Sequence, residues 1–103
     1  MRKLTIDCSS NGALVKVILN GQFTQLDAIN LKTELPSKIK LEKKMIVDLT
    51  KVSDFDLTGI NTLLRTKLML SLKDVLMTIK VDNNEVIKKL LKLTNIDKEF
   101  VYE

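Results

Sequence analysis

The densest run of reactive side chains is Ser53-Asp54-Phe55-Asp56-Leu57-Thr58-Gly59, with Asn61 close behind. Thr58 offers a hydroxyl just ahead of an apolar pattern of helical spacing. At a helix start such a group lies beside unpaired backbone N–H groups and the positive end of the helix dipole, so a phosphate attached there can be accommodated by the domain itself. That phosphate would add about −1.5 to −2 charges at neutral pH, enough to disrupt a closely packed partner surface lacking cations. Thr58 is therefore a candidate phosphorylation site. The same hydroxyl also reads as an ordinary helix cap, with Gly59 easing the turn. Asp56 has two readings as well, a role in magnesium-assisted phosphate transfer or partner recognition, or a turn-former, and an isolated carboxylate in a polar loop favours the turn. Ser53, Asp54 and Asp56 together supply three loop oxygens, too narrow a ligand set to predict a metal.

The rest of the composition removes most chemistry. The chain has no histidine, which takes away the commonest general base, the commonest zinc ligand and every Ser-His or Cys-His nucleophile pair. It also lacks a Walker-type glycine-rich loop and clustered metal ligands, so the expectation is a non-enzymatic protein with no catalytic residue and no cofactor. Cys8 is alone, cannot form an internal disulfide, and reads as a small hydrophobe in an alternating segment. The net charge is +4, but the lysines are interleaved with Asp and Glu and have no aromatic neighbours, which fits a solvated surface and not direct nucleic-acid binding. No apolar run is long enough to cross a membrane and the first residues turn polar too soon for a signal peptide, so the expected compartment is the cytosol.

The elements that must position these residues follow from hydrophobic periodicity. Length predicts one domain over residues 1–103. Leu4–Cys8 and Ala13–Leu19 read as a strand pair, with Asn20-Gly21 breaking the second strand. Thr24 with Asp27 has capping-box spacing for a first helix over Leu26–Leu35, which Pro36 should end or kink. Met45–Leu49 reads as a buried central strand. Ile60, Leu63, Leu64 and Leu68 define a second helix opening at Thr58. Val75, Met77, Ile79 and Val81 alternate as a strand, and Asp82 with Glu85 resembles the cap of a third helix carrying Val86, Ile87, Leu90 and Leu91 on one side. Asn95 suits a left-handed helix end, and Phe100–Tyr102 can add a short last strand. This β–α alternation implies an α/β fold, a mixed, mostly parallel sheet of four or five strands with about three amphipathic helices.

The segment from Ile46 to Ile60 resembles the strand–loop–helix signature of the STAS domain, the module of the anti-sigma-factor antagonist family, with Asp56-Leu57-Thr58-Gly59 in the place of its Asp-Ser-Ser-Gly-type tetrapeptide. Gly21-Gln22-Phe23-Thr24 with Ala28 matches the family's Gly-Glu-Leu-Asp element, and Val86 through Asn95-Ile96 its closing helix and turn. The resemblance implies phosphorylation at Thr58 by a partner anti-sigma kinase. It also implies a partner-binding surface made by the Thr24 loop, by Ser53, Asp54, Asp56, Leu57 and Gly59, and by Asn61 in the first turns of the second helix. Leu57 replaces the family's first serine and Thr24 its upstream acidic residue. Those changes favour an alternative, a cytosolic assembly subunit of a transport complex in which Thr58 is never modified.

Overall fold

The computed structural model describes residues 4–24, 31 and 33–103. Five strands form one sheet in the order β1 (Thr5–Ser10), β2 (Leu14–Phe23), β3 (Lys44–Phe55), β4 (Leu76–Lys80) and β5 (Val101–Tyr102). The β1–β2 pair is antiparallel and every other pair is parallel. Helix α1 includes residues 31 and 33–37, α2 spans Leu57–Ser71, α3 spans Glu85–Leu93, and a 3-10 turn, Asp97–Glu99, leads into β5. From β2 onward each crossover steps to the next strand in the same direction. Right-handed connections then bring all the helices to one face.

The core lies between that face and the helices. Along β2 every second residue is buried, and Val15, Val17 and Leu19 line up with Met45, Val47 and Leu49 of β3 and with Met77 and Ile79 of β4. Leu31 and Leu35 from α1, Ile60, Leu63 and Leu70 from α2, and Ile87 and Leu91 from α3 close over them. The expected α/β fold and mostly parallel sheet are what the chain adopts.

Several boundaries differ from the sequence reading. Asn20-Gly21 does not end β2, because Gly21 takes a positive φ of 109° and the strand absorbs it as a register shift before continuing to Phe23. β3 continues well beyond Leu49 to Phe55, burying Val52 and pairing Phe55 with Phe23. Ser53 and Asp54 are therefore strand residues, not loop residues. The expected start of the first helix, with Leu26, Asp27 and Ile29, lies outside the described residues. Its end falls at residue 37, so Pro36 sits within the last turn instead of stopping the helix at Leu35.

The third helix is capped by Asn84, not Asp82: Asn84 Oδ1 accepts from the Ile87 N–H, while its Nδ2 donates to the Leu49 and Val52 carbonyls at 2.8 and 3.0 Å. Val86 faces solvent instead of the core. Asn95 does take the left-handed conformation, φ 59°, and the Ile96 N–H reaches back to the Leu91 carbonyl as in a Schellman end. Cys8, read as a small hydrophobe and not a nucleophile, is exposed on the edge strand β1. Partial desolvation raises its thiol pKa, which keeps it from being a ready nucleophile.

Candidate functional site

The carboxyl ends of β2 and β3 lie side by side, with Gln22 registered against Asp54 and Phe23 against Phe55. In open α/β sheets this is the end at which binding sites form. Gln22 Nε2 donates to Asp54 Oδ2 at 3.0 Å, tying the two strands together at the surface. One position further, the Phe23 and Phe55 rings meet at 5.4 Å in a tilted pair. Half-buried Thr24 follows directly on Phe23, whose carbonyl oxygen lies against Gly59 in the first turn of α2.

Asp56 is the only residue between β3 and α2 and has extended backbone angles, φ −130° and ψ −174°. Its Oδ1 accepts from the Gly59 N–H at 3.0 Å, so Asp56 caps the helix, and Thr58, which read as a possible cap, is the second helical residue. Its carbonyl accepts from the Thr62 hydroxyl at 2.9 Å. The half-buried Thr58 hydroxyl has no hydrogen bond among the described residues. It sits in the first turn, among the N–H groups and at the positive dipole end that suit an anion.

Gly59 is what brings these pieces together. A Cβ there would lie 2.7 Å from the Phe23 carbonyl oxygen and 2.8 and 2.9 Å from two Phe55 ring atoms. Only a glycine lets the helix start press onto the ends of β2 and β3. Gly59 is buried, so it shapes the surface through the backbone and offers no side chain to a partner. Ser53, Asp54, Leu57 and Asn61 are all exposed, and Asp56 is half-buried. The residues singled out from the sequence thus converge on one end of the molecule, with Thr58 in their midst. No group of three or more His, Cys, Asp or Glu side chains is placed to hold a metal ion among the described residues. Nor is any described helix long and apolar enough to cross a membrane.

Two contributors were not anticipated. Asn84 ties the start of α3 to the far half of β3, holding the strand in place as it runs on to the site. Asp48, buried within β3, accepts from both the N–H and the hydroxyl of Thr50, with Oδ1 2.9 Å from the nitrogen and 2.6 Å from Oγ1. The only sequence signal for Asn84 is its position before Glu85, where Asn is a good cap.

Among solved structures, the fold resembles an anti-sigma factor antagonist from Mycobacterium paratuberculosis, with a TM-score of 0.84 and 18% identity over 97% of this chain and 85% of that one. It also resembles the anti-sigma factor antagonist SpoIIAA in its unphosphorylated form, with a TM-score of 0.76 and 12% identity over 98% of this chain and 88% of that one. SpoIIAA, a Bacillus cell fate determinant, is matched in its phosphorylated form too. The STAS domain of a SulP transporter from Vibrio cholerae matches with a TM-score of 0.58 and 24% identity over 88% of this chain and 72% of that one. No match was found among curated proteins. The family model of the STAS domain matches residues 5–103, nearly the whole of the sequence, and the chain belongs to the STAS domain family.

Proposed function

We infer that this protein is a non-enzymatic regulatory module of the cytosol that binds an anti-sigma factor or related kinase-like protein and is switched by phosphorylation of Thr58. The observation that carries the reading is the place of that hydroxyl. It stands in the first turn of α2, capped from below by Asp56 and surrounded by the exposed residues Asp54, Leu57 and Asn61. A phosphate there is stabilised by the helix start and at the same time puts about two negative charges into the middle of the contact surface. Local electrostatics then become a change in partner affinity. The solved relative SpoIIAA, known in phosphorylated and unphosphorylated forms, supports the same reading.

A second reading, an assembly subunit of a transport complex with Thr58 unmodified, draws on the SulP transporter STAS domain among the similar structures and on Leu57 and Thr24 in place of the polar residues the family carries there. Incubation of the purified chain with an anti-sigma kinase and ATP, followed by tandem mass spectrometry, separates the two. The switch reading expects one phosphate, on Thr58, and none on a Thr58→Ala variant. A Thr58→Ala variant modified as readily as the parent refutes the site, and an unmodified parent refutes the switch.

A further inference from the structure

Helix α2 is apolar on both sides. Its inner side carries Ile60, Leu63 and Leu70 into the core, as a surface helix should. On the outer side, where solvated polar residues are expected, stand Leu57, Leu68 and, at the C-cap, Leu72, with exposures of 58%, 62% and 80%, and between them Leu64 is partly buried against the edge of the core. Leu57, Asn61, Leu64 and Leu68 follow one another at spacings of four, three and four residues, with Leu72 four further on. That alternation is the seam of a helix meant to pack against another helix, with a single polar residue, Asn61, of the kind that fixes register in such pairs. Between α1 and α2 the stripe is bordered by a groove of about 300 Å³, lined by Thr33, Arg65, Leu68 and Met69.

The flanks decide the occupant. Arg65 borders one side of the stripe and Lys67 the other, and α2 contains no Asp or Glu over its whole length. Glu99 also lines the Lys67 side, where the Lys67 ammonium donates to the Glu99 carbonyl. A second copy of the chain docked along the same stripe would bring two cationic flanks together in either helix orientation, Arg65 and Lys67 against their own counterparts when antiparallel and the Arg65 flank against the Lys67 flank when parallel, and like charges across such a seam are unfavourable. We propose that the outer face of α2 is the docking groove for an acidic amphipathic helix of a partner protein, packed along Leu57, Leu64, Leu68 and Leu72 with its carboxylates toward Arg65 and Lys67. This rests on the chain being a binding module, but not on Thr58 being phosphorylated. Leu68 lies ten residues beyond Thr58, about 15 Å along the helix.

The test uses two helix-forming peptides that share a leucine seam with one asparagine and differ only in flanking Glu or Lys, titrated into the full chain by fluorescence anisotropy. The Glu peptide is expected to bind at least tenfold more tightly than the Lys peptide, and Leu68→Gln with Leu72→Gln to weaken it at least tenfold. Arg65→Glu should erase the preference for Glu, while Lys89→Ala, on the exposed side of α3, leaves binding unchanged. Equal affinity for the two peptides, binding of neither, indifference to the leucine and arginine substitutions, or a dimer by sedimentation that Leu68→Gln dissociates overturns the proposal. Failure of the peptides alongside a phosphate on Thr58 removes the helical partner and leaves the switch; binding without modification does the reverse.

Discussion

Gly59→Ala sets two effects of known sign against each other. In an unconstrained helix the change stabilises by about 1 kcal/mol, since alanine has the higher helix propensity and less backbone freedom to lose. Here the added methyl would stand 2.7 Å from the Phe23 carbonyl oxygen and 2.8 Å from the Phe55 ring. The carbonyl belongs to β2 and cannot swing aside, and the ring is held by its partner at 5.4 Å. Overpacking of this kind costs about 1–3 kcal/mol, and contact with fixed backbone puts the site in the upper part of that range. The net prediction is a loss of about 1–2 kcal/mol, or about 5–15 °C in Tm for a domain of this size. Thermal and urea unfolding followed by circular dichroism measure it. A variant equal to or more stable than the parent would show that α2 does not press on the strand ends as described, and the shared surface of Thr24 and Thr58 would lose its basis.

Asp56→Ala removes the cap at Gly59 and should cost about 1 kcal/mol by urea unfolding, with Asp56→Asn recovering most of it. Asn84→Ala leaves the Leu49 and Val52 carbonyls without their side-chain donor and uncaps α3; a loss of about 2–4 kcal/mol is expected, and hydrogen exchange should show the far half of β3 opening first. Glu42 accepts from the Ser10 hydroxyl first and from the Lys40 N–H second, which lowers its carboxyl from the ordinary 4.5 to about 2. Because the folded value is depressed, its contribution is present above pH 4.5 and is lost as the pH falls from there through about 2. Urea midpoints taken across that window should fall less steeply in Ser10→Ala than in the parent. Thr58→Glu places a charge in the first turn of α2, where the dipole favours it, so the fold should keep its Tm while binding of the kinase-like partner falls.

Much of the sheet was legible because burial writes itself into the sequence with period two. Val15, Val17 and Leu19, then Met77 and Ile79, alternate as they do in space. What escaped was decided by contacts remote in sequence. Asn20-Gly21 looks the same whether it ends a strand or bulges within one, and only pairing with the far half of β3 settles it. Ser53-Asp54 looks like a loop because its side chains are polar, yet its backbone is in the ladder with β2. Asp56 and Thr58 are both good capping residues, and the choice between them follows from where Gly59 meets Phe23 and Phe55. Asp82 lost the third cap to Asn84 because Asn can donate to two carbonyls of β3 while accepting from Ile87, which a carboxylate cannot do. The leucines on the outer side of α2 carried the helical period as strongly as the inner ones. Which set faced the core was not written in their types.

The switch itself is tested most directly by the affinity of the kinase-like partner for the unmodified chain and for the chain carrying phosphate on Thr58, measured by titration calorimetry at one salt concentration. Phosphate on Thr58 is expected to weaken the complex by at least about tenfold, about 1.4 kcal/mol, with the fold unchanged. Equal affinity of the two forms would contradict it.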